Sequence, residues 1–111
     1  MPNLFDVEFS ECAIQHLKNV ARYIHYVLLA DVAAQNTLKN IASSIEDLRL
    51  FPARHPLVDD VLLKGKGIRK MAVKNYLVYY MVSEKVNKVV ILGIYYAKSN
   101  QVEKLKEQHR F

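Results

Sequence analysis

The sequence has a single cysteine, Cys12, so it lacks any internal disulfide. This usage is typical of a reducing compartment, and we therefore expect a cytoplasmic protein in which Cys12 is a buried helix residue and not a reactive thiol. The sequence also lacks any run of about 18 apolar residues, which argues against a membrane span. Its first six residues lack the basic and apolar regions of a secretory signal, so we expect none.

Several kinds of functional site are missing as well. The cysteine and the histidines do not have the spacing of metal ligands, and no glycine-rich phosphate loop or Ser-His-Asp pattern is present. We therefore predict no metal ion and no cofactor. His16 and His25 are predicted to lie on helix surfaces, and His55 is predicted to be an ordinary loop residue, with an acid or base role as the alternative.

Positive charge is what the sequence does have, and its second half holds most of it. The 111 residues carry a net charge of +5. Residues 1–53 contain four bases and six acids, a net charge of −2, whereas residues 54–111 contain twelve bases and five acids, a net charge of +7. A basic half attracts nucleic acid, the ribosome or an acidic protein, although a plain solvated surface rich in lysine is an equal alternative.

The first half of the chain has the pattern of a strand followed by two helices. Its length predicts one domain over residues 1–111. Alternating apolar residues predict a half-buried strand over residues 4–9, and Ser10 is placed to cap a helix whose apolar stripe begins at Ile14. A second stripe over residues 34–48 ends before Phe51-Pro52. Because almost nothing separates the two helices, we predict an αα-hairpin.

The second half has the pattern of an irregular segment followed by a meander. Residues 52–67 contain prolines and glycines, with one short ordered piece at residues 61–63. Runs of β-branched and aromatic residues at 68–73, 76–82 and 89–96 are joined by short turns, which favours antiparallel strands. Residues 99–110 are charged and compatible with a short or frayed helix.

These elements predict an α+β fold with the order β-α-α-β-β-β-(α). The first strand needs a partner and is expected to join the edge of the meander. The result is a four-stranded, mainly antiparallel sheet with the αα-hairpin on one face and the other face open. We expect apolar grooves beside the hairpin and the sheet.

The element order and four local strings resemble the RelE/ParE superfamily, the toxins of bacterial type II toxin–antitoxin systems. The strings are Asp47–Pro52, which closes the second helix, Gly67–Val73, which opens the meander, Asn75–Tyr80, and Val90–Lys98. No single string is diagnostic, but their order and spacing together are fairly specific. The resemblance covers roughly residues 4–100.

The resemblance implies a toxin that arrests growth and a cognate antitoxin that neutralises it, with operator DNA contacted only through the antitoxin. RelE-like members cut mRNA on the ribosome, and ParE-like members block DNA gyrase without being nucleases. The sequence leaves open whether this chain is a metal-independent, ribosome-dependent endoribonuclease or a gyrase inhibitor. A further alternative is a non-toxic regulatory or nucleic-acid-binding relative of the same fold.

The resemblance also indicates candidate residues for RNA cleavage. Arg69 matches a basic position on the first meander strand, where we expect it on the open face, and Lys98 matches a basic residue just after the last strand. Tyr96 is a candidate proton acceptor. Each of the three is otherwise an ordinary surface or packing residue. Leu77 stands where RelE-like enzymes usually carry a base, and residues 97–111 contain no tyrosine, so both features depart from RelE-type catalysis. The Phe51-Pro52 and Gly67-Ile68-Arg69 strings look at least as ParE-like.

Four lysines are candidates for nucleic-acid binding. Lys64, Lys66, Lys70 and Lys74 surround the loop and the first meander strand. They are expected to steer the protein toward phosphate backbones without specifying a sequence. The tyrosines at 76, 79 and 80 are expected to be packing residues of the sheet.

Overall fold

The computed structural model describes residues 4–26, 31–98 and 101–109. Its helices are α1 (Glu11–Tyr26), α2 (Asp31–Asp47), α3 (Val61–Gly65) and α4 (Gln101–His109). Its strands are β1 (Asp6–Phe9), β2 (Ile68–Val73), β3 (Tyr76–Ser83) and β4 (Lys88–Tyr96). The predicted α+β order is confirmed, and the piece predicted at residues 61–63 is the start of α3. None of the described helices is long and apolar enough to cross a membrane.

The four strands form one sheet in the order β1-β4-β3-β2. The pairs β2–β3 and β3–β4 are antiparallel, as predicted for a meander, and β1 runs parallel to β4 at the sheet edge. A parallel pair needs a long connection between its strands, and the whole hairpin and the first two meander strands supply it here. The prediction that the first strand joins the meander edge is therefore confirmed.

Ser10 joins β1 to α1. Its Oγ accepts the Ala13 N–H at 3.0 Å, which is the predicted helix cap, and donates to the Leu92 carbonyl at 3.1 Å. The same hydroxyl therefore starts α1 and fixes that start to the central strand β4.

The αα-hairpin packs on one face of the sheet, which we call the hairpin face. The buried core between them consists of Ala13, Val20, Ile41, Ile45, Leu48, Met71, Val73, Tyr76, Val78, Tyr80, Val89, Ile91 and Ile94. The predicted stripe of α1 is out of phase at its start, because Ile14 is 45% exposed and Ala13 is fully buried. A small side chain at position 13 allows α1 to approach β4 closely.

The opposite face, which we call the second face, is covered, so the prediction of an open face is wrong. Helices α3 and α4 contribute to a second buried cluster of Val58, Leu63, Ile68, Tyr79, Leu92, Tyr95 and Leu105. Leu105 is fully buried and Val102 packs beside it, so two apolar residues dock an otherwise charged helix. An ion pair of 2.8 Å between Lys106 Nζ and Asp60 Oδ2 joins α4 to the start of α3.

A β-bulge allows β4 to contribute side chains to the cores on both faces of the sheet. Tyr79 lies opposite Gly93 and Tyr80 lies opposite Ile91, so Leu92 is the additional residue on β4. The strand alternation is interrupted there. As a result Ile91 and Ile94 face the hairpin, whereas Leu92 and Tyr95 face α4. The Tyr95 ring lies so close to Gly93 that a side chain at position 93 would clash with it.

The segment between α2 and α3 lies along the outer edge of β2. Phe51 has a left-handed backbone conformation with φ 55°, and Pro52–Arg54 forms a 3₁₀ turn. Leu57 then makes an isolated antiparallel bridge with Arg69. The edge of β2 is thus partly paired, which reduces the exposed backbone that a second chain could extend.

Two side-chain hydrogen bonds hold this segment to the sheet. The Tyr80 hydroxyl donates to the Pro52 carbonyl at 2.6 Å, and Arg69 Nη1 donates to the His55 carbonyl at 2.7 Å. The Tyr80 side chain is fully buried, so no water molecule can replace the Pro52 carbonyl as the hydrogen-bond partner of its hydroxyl.

We expect Tyr80→Phe to lower the free energy of unfolding by about 1–3 kcal/mol, because it leaves the Pro52 carbonyl without its buried donor. Tyr79→Phe is the matched control, since Tyr79 is equally buried but its hydroxyl makes no hydrogen bond within the described part of the chain. Chemical denaturation of both variants measures the difference. Equal losses in the two variants would contradict the role given to the Tyr80 hydroxyl.

Candidate functional site

Arg69 lies on the hairpin face and not on the second face, so its predicted position on an open face is wrong. It alternates along β2 with Ile68 of the second-face cluster and shares a side with Met71 of the hairpin core. Its guanidinium reaches the carbonyl of His55. The alternation of β2 sets the face on which Arg69 lies, and the bridge to Leu57 brings the 52–58 segment within reach of its side chain.

The groups around Arg69 are poorly suited to exchanging protons. Burial raises the pKa of Tyr80 to about 12, although Arg69 and Arg54 nearby act in the opposite direction. Burial, and then the charge of Arg54, lower the pKa of His55, whose Nε2 is buried without a hydrogen-bond partner in the described structure. The phenol therefore stays protonated and the imidazole stays neutral near neutral pH, which fits a structural cluster.

Tyr96 and Lys98 lie far from Arg69. Tyr96 is paired with Tyr76, which is paired with Val73, four residues beyond Arg69 on β2. The Cα atoms of Arg69 and Tyr96 are therefore separated by about 13 Å along the strands and by about 10 Å across two strand spacings, which gives about 16 Å in all. Tyr96 is 43% exposed, and Lys98 is exposed in the turn after β4. The structure thus brings Tyr96 and Lys98 to one end of the sheet and leaves Arg69 at the other.

The four candidate lysines do not form one patch. Lys64 and Lys66 are exposed around the end of α3, and Lys70 is half-buried on the second face. Lys74 is exposed in the turn after β2 and lines a depression with Asn36, Thr37 and other residues of α2. Their charge is therefore spread over both sides of β2.

The second face itself carries little free charge on its strands. Its described bases are Lys70 and Lys88, and Lys88 Nζ pairs with Glu8 Oε1 at 2.7 Å. The remaining side chains in the middle of this face are apolar or aromatic and lie under α3 and α4. A cluster of Lys and Arg around one phosphate is absent from the strands of this face, within the described residues.

A groove between α1, the ends of β3 and β4, and α4 is lined by aromatic, amide and basic side chains. We call it the tyrosine groove. Its volume is about 600 Å³, and its lining residues are His16, Asn19, Val20, Tyr23, Tyr76, Ile94, Tyr95, Tyr96, Lys104 and Gln108. The sequence analysis assigned Tyr76 to packing and named Tyr96 as a candidate proton acceptor, but it did not predict the groove that these two residues line. The available signal was the spacing of His16, Asn19 and Tyr23, which places them on one side of a helix.

The floor of the tyrosine groove is a fixed hydrogen-bond network. The Ile94 N–H donates to His16 Nδ1 at 3.1 Å, so the ring proton is on Nε2, which lies 3.4 Å from Cys12 Sγ. The Cys12 thiol and the Tyr95 hydroxyl both donate to Gln108 Oε1, at 3.2 and 2.6 Å. The predictions of a surface His16 and a buried Cys12 are therefore wrong, since both are half-buried and in contact.

Burial dominates the electrostatics of this network. It lowers the pKa of His16, and the charges of His109 and Lys104 lower it further. Burial also raises the pKa of the Cys12 thiol. A neutral imidazole next to a protonated thiol is a structural contact and not an activated nucleophile, which agrees with the prediction that Cys12 is not reactive.

A second groove, which we call the hairpin groove, lies between α1, α2 and β1. It has a volume of about 590 Å³ and is lined by Val7, Phe9, Leu17, Lys18, Ala21, Leu38, Ile41, Ala42, Ile45 and Glu46. All but two of these side chains are apolar. It adjoins the outer edge of β1, which ends the sheet on that side. An apolar groove beside the hairpin was predicted, and its lining residues are now defined.

Residues 7–100 match the family described as the ParE toxin of the type II toxin–antitoxin system parDE. The chain belongs to the ParE toxin family. It is therefore the toxin of a type II toxin–antitoxin system within the RelE/ParE superfamily, as the sequence resemblance implied. None of the curated protein sequences compared with this toxin matches it.

Solved structures with the same fold include toxins of both kinds. The chromosomal ParDE system of P. aeruginosa has a TM-score of 0.69 at 13% identity over 86% of this toxin and 99% of that chain. The RelBE2 toxin–antitoxin complex of Mycobacterium tuberculosis gives 0.62 at 19% identity over 84% and 98%. A mutant of the E. coli toxin RelE in the free state gives 0.64 at 12% identity over 97% and 99%. At these identities the likeness shows the fold alone.

No metal site is formed by the residues that the structure describes, because no three His, Cys, Asp or Glu side chains come together.

We expect this toxin to lose stability as the pH falls from about 8 to about 5, in part through His16. Its pKa is lower in the folded state than its usual value of 6.5, so the unfolded chain binds the proton more readily. Its contribution is complete above that value and is lost as the pH falls through the folded pKa. Denaturation of the His16→Asn variant, which keeps an acceptor for the Ile94 N–H, is expected to give a flatter pH dependence.

His25→Asn is the control for this experiment, because His25 lies on the exposed part of α1. It is expected to keep the slope of the unmodified toxin. A slope that is unchanged by His16→Asn would contradict the titration of His16.

Proposed function

We propose that this toxin arrests growth by binding DNA gyrase as a non-enzymatic inhibitor, and that it does not cut RNA. The observation that carries the proposal is the separation of the candidate catalytic groups. Cleavage by 2′-OH attack needs a base, a phosphate-binding cation and an acid around one phosphodiester, each within hydrogen-bond distance, about 3 Å. The Cα atoms of Arg69 and Tyr96 are about 16 Å apart on the sheet. The Arg69 guanidinium is held by the His55 carbonyl beside the opposite end of β2.

The contacts of Arg69 and Leu77 also argue against RNA cleavage. The Arg69 guanidinium donates to a backbone carbonyl, so moving it onto a phosphate would break one of the two side-chain hydrogen bonds that hold the 52–58 segment to the sheet. Leu77, which takes the position of a usual RelE-like base, packs against the second-face cluster. In place of a charged catalytic surface this face has a covered apolar core.

The charge distribution is compatible with a gyrase–DNA target. Lys64, Lys66, Lys70 and Lys74 lie on both sides of β2, within the second half of the chain, which has a net charge of +7 over residues 54–111. A spread of positive charge accelerates encounter with a polyanionic complex and does not need converging side chains. Binding without chemistry also needs no residue with a pKa near neutral.

We further propose that the cognate antitoxin neutralises the toxin by placing an amphipathic segment in the hairpin groove. This groove is apolar, is bordered by Lys18 and Glu46, and adjoins an unpaired strand edge. Helix-in-groove docking and strand addition need these two features. The ParDE and RelBE2 structures with the same fold are toxin–antitoxin systems, which supports a partner of this class.

Two measurements test the target together. Purified toxin is titrated into gyrase during supercoiling of relaxed plasmid, and transcript 5′ ends are mapped after brief induction of the toxin without its antitoxin. We expect loss of supercoiling and full-length transcripts, because the toxin binds a protein and carries no assembled nuclease site.

The opposite pair of results would establish a ribosome-dependent nuclease. New 5′ ends in translated frames, absent in the Arg69→Ala variant, together with unaffected gyrase would overturn the proposal. Folding of the variant is checked by circular dichroism, because Arg69 also holds the 52–58 segment.

Ala42→Glu tests the antitoxin site. Ala42 is exposed on α2 and lines the hairpin groove, so the substitution introduces a carboxylate into an apolar surface without disturbing the core. We expect antitoxin affinity to fall by at least about ten-fold, or about 1.4 kcal/mol, by calorimetry. Ser43→Glu, the next exposed position of the same helix, lies outside the groove and is expected to bind as the unmodified toxin does. Equal affinity of both variants would place the antitoxin elsewhere.

A further inference from the structure

We propose that the tyrosine groove binds a nucleotide unit, a base with its phosphate, either free or within a single-stranded nucleic acid. The inference does not depend on gyrase being the target. It assigns a ligand class to the one described groove whose walls combine aromatic rings, amide groups and an unpaired cation.

The shape and the rings suit a planar ligand. The volume of about 600 Å³ lies within the range of about 300–1,000 Å³ that is usual for small-ligand pockets. Tyr23 and Tyr96 are 49% and 43% exposed and present ring surface to the groove. Tyr76 supports Tyr96 from behind, with ring centroids 5.8 Å apart in an edge-on arrangement. Bases of any sequence stack on such rings.

The charge suits an anionic ligand. No carboxylate is among the lining residues, and Lys104 is exposed at the side formed by α4. The Lys104 ammonium makes no ion pair with any described residue, so it is available to a phosphate. The positive charges of Lys104 and His109 also act on His16 at the floor of the groove, because each of them lowers the pKa of this histidine.

Asn19 can read the edge of a base. Its Oδ1 accepts a hydrogen bond from Gln15 Nε2 at 3.1 Å, which orients the side-chain amide. Its own amide nitrogen has no partner in the described structure, so it can donate to a ring nitrogen or a carbonyl oxygen of a base.

The groove is formed before any ligand arrives. His16 is fixed by the Ile94 N–H, and Gln108 is fixed by the Tyr95 hydroxyl and the Cys12 thiol. Walls that are already ordered reduce the entropy lost on binding. Tyr23, Lys104 and Asn19 remain exposed around this fixed floor.

The contrast with the hairpin groove argues against a helix as the occupant. Eight of the ten residues that line the tyrosine groove have a polar group, all except Val20 and Ile94. Only Lys18 and Glu46 do so among the ten of the hairpin groove. An amphipathic protein helix buries a continuous apolar face, which fits the hairpin groove better than the tyrosine groove with its hydroxyl, amide and ammonium groups.

The test measures binding of a fluorescently labelled single-stranded oligonucleotide to the purified toxin by anisotropy, with AMP, adenosine and inorganic phosphate as competitors. We expect Tyr23→Ala to weaken binding by about 5- to 100-fold, the range for loss of one stacking ring. Tyr23→Phe keeps the ring and is expected to retain binding. Lys104→Ala is expected to weaken binding several-fold and to reduce its salt dependence.

Tyr26→Ala is the matched control, because Tyr26 is 68% exposed in the last turn of α1 and does not line the groove. Competition by AMP would identify a free nucleotide as sufficient, and binding of the oligonucleotide alone would identify a strand. Absence of binding, competition by inorganic phosphate as strong as that by AMP, or equal loss in Tyr26→Ala and Tyr23→Ala would overturn the proposal. None of these outcomes bears on supercoiling, so the two proposals fail separately.

Discussion

The β-bulge at Leu92 is the constraint on which the rest of the structure depends. A regular β4 would direct alternate residues to each face, and the apolar run of this strand would then place Ile91 and Ile94 on opposite sides. With one additional residue, both isoleucines reach the hairpin core while Leu92 and Tyr95 reach the second face. The carbonyl of the bulged Leu92 accepts a hydrogen bond from Ser10 Oγ and another, of 2.7 Å, from His109 Nε2. The start of α1 and the end of α4 therefore meet at one peptide group of β4.

Covering both faces of a small sheet limits how much of its strands a ligand can reach. The second face here is occupied by a core that docks α4 through Leu105. What the chain gains is a fourth helix fixed at both flanks, through Lys106 to Asp60 and through Gln108 to Tyr95. The site that results lies between helices and strand ends, where aromatic and amide groups converge, and not on the sheet face.

The sequence predicted what periodicity and turn chemistry determine, and missed what tertiary contacts determine. Ser10 as a cap, the strand limits at Ile68–Val73 and the hairpin each follow from local rules, and all are confirmed. The docking of α4 rests on two weakly patterned apolar residues, which no single-helix pattern distinguishes from a frayed tail. Arg69 was misplaced because β2 has apolar residues on both faces, Ile68 on one and Met71 on the other, so the alternation alone did not indicate which face the hairpin covers. The tyrosine groove was missed for the same reason, since its walls come from four elements.

Helix α1 forms one wall of the tyrosine groove and one wall of the hairpin groove. Whether ligands in the two grooves can affect each other depends on how firmly this helix is held. One flank gives Leu17 and Ala21 to the hairpin groove, and the other gives Asn19 and Tyr23 to the tyrosine groove. Coupling between two sites needs an element with two arrangements that both ligands bias. Here α1 is tied to β4 by Ser10 at its start and by the bond from the Ile94 N–H to the helix's second turn. Both of these bonds lie in the first half of α1, so they fix the beginning of the shared wall, and Ala21 and Tyr23 lie beyond them.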